Sequence, residues 1–303
     1  MKKLQVIWDS AYSPVFPLSH RFPMRKFALL RDWVDEKYNA SVSFNKPSNC
    51  SLDTLSLAHD LQYIEAFQSG LADKRIIRRI GLPWSQGLAK RSILAVGGTV
   101  LTAELALSHG VASHLAGGTH HASRDCGSGF CIYNDLAVAG LHLIKNRNIG
   151  RVLIFDCDVH QGDGTATILS NEKCIFTCSI HCGANFPVKK SNSDLDIDLP
   201  KGLEDMAYLK SVFDSFDAIL QTWYPEFVLY DAGVDVHRSD SLGFLCVTDQ
   251  GLFDRDFGII SRCLENNIPV ATVIGGGYDS DHYALAARHG IVIKAVLHAL
   301  KLK

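Results

Sequence analysis

No sign of charge dominates this sequence. Its 30 Lys and Arg stand against 32 Asp and Glu, a formal net charge of −2. No global field therefore draws it to nucleic acid or to a membrane surface. It has no C-x-x-C pair and no closely spaced cysteine run, and its nine cysteines are too odd in number to pair completely within one chain. The start, MKKLQVIWDS, lacks a signal-peptide core, because its apolar run Leu4–Trp8 is broken by Gln5. Together these absences predict reduced thiols and a cytoplasmic protein. No stretch comes near the length of a transmembrane helix. Nor is there an internal repeat, a linker or a low-complexity tract, which leaves one domain over 1–303. Nothing in the sequence fixes the oligomeric state.

What is present is a chain of 303 residues, 47% hydrophobic, long enough to bury a large core. Short apolar runs alternate with longer amphipathic ones. Strands are predicted at Leu4–Trp8, Val152–Phe155, Cys174–Ile180, Phe227–Tyr230 and Val270–Ile274. Helices are predicted at Met24–Tyr38, His59–Phe67, Leu88–Ser108, Asn134–Lys145, Leu203–Trp223, Leu252–Glu265 and His282–Leu300. Such alternation calls for an α/β fold: a mostly parallel open sheet with helices on both faces, three layers in all. Tyr12–Pro23 is a Pro- and aromatic-rich loop, and Gly110–Gly129 reads as irregular. Asn185–Leu199 is polar and loop-like, and its alternating Asp194, Asp196 and Asp198 read as a solvated strand or turn. Gly97-Gly98 inside a helix is costly unless another element packs closely there. His59 and Tyr63 stand four apart on one helical face, which reads as a local fold contact.

The stretch Val152–Gly164, VLIFDCDVHQGDG, organises the rest. A buried strand runs straight into Asp156, Asp158, His160 and Asp163. Alternate residues on an extended chain point to one side, so Asp156, Asp158 and His160 can converge where the strand ends. Charged groups beside an apolar run are costly unless paired, hydrated or bound to a cation. A carboxylate and an imidazole two residues apart suit a divalent metal such as zinc. A carboxylate–imidazole network that pins a loop is the other reading. Polar clusters also follow the strands ending at Tyr230 and Ile274, and open sheets place sites beyond such carboxyl ends. Asp158, His160 and Asp235 then combine into a three-ligand site of mixed oxygen and nitrogen donors. Asp156 and Asp163 remain free to orient His120 and His121 of a Gly-rich loop.

The segments GGTHHA with GSGFCIYND, LIFDCDVHQGDGT, DAGVD and GGGY, in that order, resemble the arginase-like histone deacetylase family. GLPWS with VGGTVLTAELAL is similar to its class IV branch and bacterial relatives. The resemblance implies an open α/β sheet and zinc-dependent hydrolysis of an acyl amide. It implies Asp158, His160 and Asp235 as zinc ligands and His121 as the base that takes a proton from the attacking water. His120 would be its neighbour, with Asp156 the partner of His120 and Asp163 that of His121. Tyr278 would donate to the substrate carbonyl. A structural potassium ion is implied at the Asp156, Asp158 and His160 carbonyls, the Asp156 side chain, Ser179 and the Ile180 carbonyl. Gly129, Phe130, Phe186 and Gly276 match the substrate channel. The loop aspartate that grips peptide backbone in many histone-directed members has no placeable counterpart. The expected substrates are therefore acetyl-lysine or a small acylated amine or polyamine, with neither nucleic acid nor membrane as partner.

Two rivals stand beside this reading. One is an arginase- or agmatinase-like ureohydrolase with two manganese ions. The other is a non-catalytic acyl-amine binding protein. His109, His114, His142 and His289 have no complete motif around them and read as structural or exposed. Cys126, Cys131 and Cys157 form no nucleophilic triad.

Overall fold

The computed structural model describes residues 3–302. Met1, Lys2 and Lys303, which the expected domain of 1–303 includes, lie outside the described residues. Eight strands form one sheet: β1 (Leu4–Ile7), β2 (Val42–Asn45), β3 (Val111–His114), β4 (Val152–Asp156), β5 (Ile175–Cys182), β6 (Leu195–Leu199), β7 (Phe227–Asp231) and β8 (Val270–Val273). Their order is β2-β1-β3-β8-β7-β4-β5-β6, and every pairing is parallel. Among the described residues ten α-helices accompany them: α1 (Lys26–Tyr38), α2 (Leu52–Leu55), α3 (Leu61–Gln68), α4 (Lys74–Ile80), α5 (Gln86–His109), α6 (Asp135–Arg147), α7 (Asp163–Leu169), α8 (Asp205–Thr222), α9 (Asp249–Glu265) and α10 (His282–Leu302).

The central strands are apolar without alternation because both of their faces are covered. All five residues of β4 and of β7 are buried. Neighbouring side chains of β4 meet different layers. Phe155 packs edge-on against Phe216 of α8, with ring centroids 4.8 Å apart. Ile154 lies beside Gly140 of α6, along with Ile175 and Leu229. The sheet is thus sandwiched between helices, the three-layer α/β arrangement that the alternation predicts.

Several stretches differ from the sequence reading. Val42–Asn45 and Val111–His114 are strands that the reading passes over. Each has four residues, too few to show a period, and the second follows a helix-ending glycine. Asn185–Leu199 is not loop throughout, since its last five residues form edge strand β6. Its acids are spoken for: Asp194 accepts from Thr177, Asp196 from Gln161 and Ser193, and Asp198 lies 2.8 Å from His181. The basic segment KRIIRRI forms α4. Helix α5, at 24 residues, is long and apolar enough to span a membrane by length and composition, contrary to the expectation that no stretch is. More than half of its apolar window (56%) is buried inside the protein. Its Gly97-Gly98 pair is retained for packing. A Cβ on Gly97 would collide with the backbone of Ser48, and one on Gly98 with Tyr12 and His114.

Strand β4 is the switch point: β5 lies on one side of it and β7 on the other. Chains leaving it and its neighbours diverge there, opening a crevice beyond the carboxyl ends of β4, β7 and β8.

Candidate metal centre and active site

The loop after β4 is folded by its own carboxylates. Asp156 Oδ1 accepts from the Asp158 backbone N–H at 3.0 Å, and Asp158 Oδ1 from that of His160 at 2.9 Å. Side chains that cap the backbone two residues on favour a tight turn. The other two strands lock onto this turn. Asp235, beyond β7, accepts from the Val159 N–H at 2.8 Å, and Gly276, beyond β8, donates to Asp158 Oδ2 at 2.7 Å. A Cβ at Gly276 would drive into the carboxylates of Asp235 and Asp158, so this position requires glycine.

Asp158, His160 and Asp235 converge, with ligand atoms all within 4.8 Å of one another. His160 Nδ1 lies 3.0 Å from Asp158 Oδ1 and 3.1 Å from Asp235 Oδ2. All three residues are buried. Burial disfavours charge on His160, yet hydrogen bonds and charge from the two acids prevail and raise its pKa to about 10. Burial and the Asp158 charge raise Asp235 to about 6. Two buried carboxylates facing each other call for positive charge between them. His160 Nδ1 lies between them. A divalent cation of intermediate hardness fits the same donors.

Beside this triad stand the two loop histidines, their rings 4.1 Å apart. His120 Nδ1 bonds Asp156 Oδ2 at 2.6 Å, and His121 Nδ1 bonds Asp163 Oδ1 at 2.7 Å. Both pairings match the expected ones. Burial works against charge on His120, but Asp156 and Asp158 outweigh it and hold its pKa well above the usual value. Burial and then the neighbouring His120 charge push His121 down to about 4. The two imidazoles are thus driven apart in basicity, the condition in which one carries a proton and the other is free to accept one.

Tyr278 is nearly buried, its ring 5.7 Å from Phe130 and 6.5 Å from His160. Burial, followed by the charges of Asp158 and Asp235, raises its pKa well above the ordinary value, so the phenol stays protonated. Tyr278 shares a cleft of about 960 Å³ with His121, His160, Gly129, Phe130 and Phe186. Phe186 sets its ring edge-on to His121 at 4.9 Å. Ser179 and Ile180 lie behind the site on β5, where Ser179 pairs with Asp156 across the sheet. Ser179 Oγ lies 3.4 Å from the Gly162 N–H and 3.0 Å from His181 Nδ1.

Other residues hold the site without having been singled out by the sequence. Asn134 caps α6 and holds the carbonyls of His120 and Ala122 at 3.2 Å, pinning the histidine loop. Its presence in the quoted segment GSGFCIYND was the available signal. Asp240 accepts from the Tyr278 N–H at 2.6 Å, and buried Lys26 reaches the carbonyls of Gly275 and Gly277 at 3.4 and 3.3 Å. No local motif marks either one. Asp231 is fully buried, and neither of its carboxylate oxygens has a hydrogen-bond partner among the described residues. Burial and the adjacent Asp156 raise its pKa strongly.

The remaining histidines behave as structural groups. His114 bridges Thr99 and Tyr12 in the core, His142 meets Glu104, and His109 caps the Leu105 carbonyl. His289 is buried behind Gly277. All nine cysteines are free thiols. His59 makes a fold contact, but a distant one and not the local one expected: it lies before α3, its Nε2 accepts from the Asn134 N–H at 2.8 Å, and its Nδ1 faces the Arg124 carbonyl at 3.3 Å. Burial pushes its pKa down to about 4. An unfolded histidine protonates near 6.5, so stability from neutral His59 is full above that pH and is lost as pH falls toward 4. The loss amounts to about 3 kcal/mol. Urea unfolding at pH 7 and pH 4 should show an acid loss smaller by that amount in His59→Gln; equal losses would refute the linkage.

With this geometry in place, comparison with known proteins decides the family. The histone deacetylase domain matches residues 20–293. This chain belongs to the histone deacetylase family. It is 26% identical to histone deacetylase 2 of Arabidopsis thaliana over 291 residues, 92% of this chain and 75% of that protein. It is 30% identical to the acetoin utilization protein AcuC of Staphylococcus aureus, over 77% of this chain and 66% of that one. An uncharacterized protein of Picosynechococcus is 45% identical over 96% of this chain and 97% of its own length. Membership in the histone deacetylase family supports deacetylase-type hydrolysis, and the converging His and Asp groups are candidate metal ligands of the kind such chemistry uses.

Proposed function

We propose that this protein is a zinc-dependent deacylase of acyl amides, acting on acetyl-lysine or a small acylated amine. The carrying observation is one juxtaposition: a buried Asp158/His160/Asp235 donor set beside two His–Asp pairs and a protonated Tyr278, at the foot of one cleft. Zinc held there would polarise the acyl carbonyl and acidify a water. His121, neutral and fixed through Nδ1 by Asp163, has its Nε2 free to accept the proton of that water and return it to the leaving amine. His120 keeps its proton beside Asp156 and supplies fixed positive charge. The Tyr278 hydroxyl donates to the carbonyl oxygen as charge develops there. Phe130 and Phe186 cover the apolar stem of the substrate and exclude water. The potassium cage at Asp156, Asp158, His160, Ser179 and Ile180 belongs to the same proposal, as a brace beneath the turn after β4.

Amine release from a panel of acetylated peptides, acetylpolyamines and longer-acyl lysines, with metal content measured in parallel, tests this reading. No release by folded, zinc-loaded protein would support a binding-only role instead. A ureohydrolase has one observation in its favour: His120, Asp156 and Asp231 form a second group with ligand atoms within 4.8 Å. Against it, His120 Nδ1 is already committed to Asp156. Two manganese ions per chain with urea release would overturn the deacylase.

Tyr278→Phe separates oxyanion donation from packing, since the ring against Phe130 is kept. It should lower kcat by about 10²–10³-fold with zinc content and folding retained. Wild-type kcat in the zinc-loaded variant would end the role of the hydroxyl.

A further inference from the structure

The mouth of the cleft is far more basic than the chain as a whole. Arg21, Arg78, Arg79, Lys189 and Lys190 line it, and Asp163 is the one acid among its lining residues. Asp163 is mostly buried and bonded to His121. The cations come from three separate segments: the Pro-rich loop, α4 and the loop that carries Phe186. They therefore reach one entrance from three parts of the chain. Two of these segments are tied to the channel wall. The Arg79 and Ile80 carbonyls accept from the N–H groups of Gly129 and Phe130, and the Arg21 guanidinium lies 5.2 Å from the Phe130 ring centroid.

Their positive charge is largely uncompensated. None of the five stands in an ion pair among the described residues. The Arg78 guanidinium reaches the Lys74 carbonyl and that of Arg79 the Cys126 sulfur. Lys190 is the exception: it is tied to the Asn185 and Pro187 carbonyls and lies in the field of Asp198, Asp163 and Asp196. Arg21, Arg78, Arg79 and Lys189 are exposed.

A cleft with low-dielectric walls focuses such a field on whatever enters. The acyl amide is neutral, so the field acts on the rest of the substrate as it crosses the rim. A polyamine or a Lys-rich tail meets like charge there, and guanidinium groups match carboxylates in both charge and shape. We infer that the substrate carries a carboxylate close to the acylated amine, and that the basic rim selects for it against polycations. This rests on the deacylase reading and narrows it, setting acetylpolyamines aside.

The test compares kcat/KM of the zinc-loaded enzyme for one acetyl-lysine peptide flanked by Asp or by Lys, at low and high salt. Free Nε-acetyl-lysine against N-acetylcadaverine, its analogue without a carboxylate, forms the small-molecule arm, with acetylspermidine as the polycation. The acidic peptide should win by about tenfold at low salt, and the preference should shrink as salt screens the rim. A preference confined to the peptides assigns the carboxylate to protein side chains; one confined to free acetyl-lysine assigns it to a small molecule. Arg78→Glu with Arg79→Glu, and separately Lys189→Glu on another segment, should each reduce the ratio of acidic to basic rates. Equal rates for acidic and basic substrates, or a preference for acetylspermidine, overturn the inference while deacylation stands. Absence of turnover on every substrate overturns the deacylase reading itself.

Discussion

Asp235→Asn is expected to abolish turnover while leaving a folded chain. The amide keeps an oxygen for the Val159 N–H, the hydrogen bond that seats the turn after β4. It removes a buried negative charge that faces Asp158, and burial with that charge already raises the Asp235 pKa to about 6. The metal-free variant should therefore lie within about 1 kcal/mol of metal-free wild type in urea unfolding. What it loses is the second carboxylate around a divalent cation. Zinc affinity should fall by more than about 10²-fold, beyond the loss typical of an outer-shell partner. Wild-type stability should rise by about 2.7 kcal/mol when zinc is added at a hundred times its dissociation constant. The variant at the same zinc concentration should rise by less than about 0.4 kcal/mol. Its kcat/KM should drop by more than about 10³-fold, since a metal contributes several kcal/mol to such a reaction. Unchanged zinc affinity in folded Asp235→Asn would remove Asp235 from the donor set.

The two-residue spacing of Asp156, Asp158 and His160 made this donor set legible, because the turn after β4 is built by those same carboxylates. Local sequence and tertiary site are one object there. The same holds for His120 and His121, whose loop carries its glycines and its histidines together. The pairing of each histidine with its own acid was also readable, through the family resemblance. The helices and the buried strands followed from periodicity and apolar runs, which is why the three-layer sheet was foreseeable.

Legibility ends where partners are distant and unmarked. Asp240 fixes the backbone of Tyr278 from 38 residues away, and Lys26 fixes the glycine turn from about 250. Neither sits in a pattern that announces it. The short strands β2 and β3 have no period to display. Strand β6 is a polar edge strand, as its alternating acids allowed: Asp194 and Asp198 are exposed, and what the sequence does not show is their engagement, with that of Asp196, to Thr177, Gln161 and His181. The basic rim is the clearest case. A net charge of −2 gives no hint of it, because three segments far apart in sequence bring their cations to one opening.

His121→Ala is the most direct probe of the proton path. His121 stands outside the donor set, so zinc content should be retained, whereas kcat should fall by about 10²–10⁴-fold with the general base gone. The sign of the pH effect follows from its environment. Burial and the His120 charge push its pKa down to about 4, so the free base is present at neutral pH and is lost only as pH falls through that value. Wild-type kcat/KM should therefore be level near neutrality and decline toward pH 4, and the variant should lack that acid limb. Buried His59 also protonates on unfolding in this range, so far-UV circular dichroism at each pH must accompany the rates. Removing the ring opens space in a cleft already about 960 Å³ in volume, where added imidazole can enter. Imidazole should restore part of the rate to His121→Ala and none to Asp235→Asn, because a diffusible base replaces a proton acceptor but not a metal ligand. Wild-type kcat in folded, zinc-loaded His121→Ala would instead move the base to His120. That assignment conflicts with the 2.6 Å bond and the two carboxylates that keep His120 protonated.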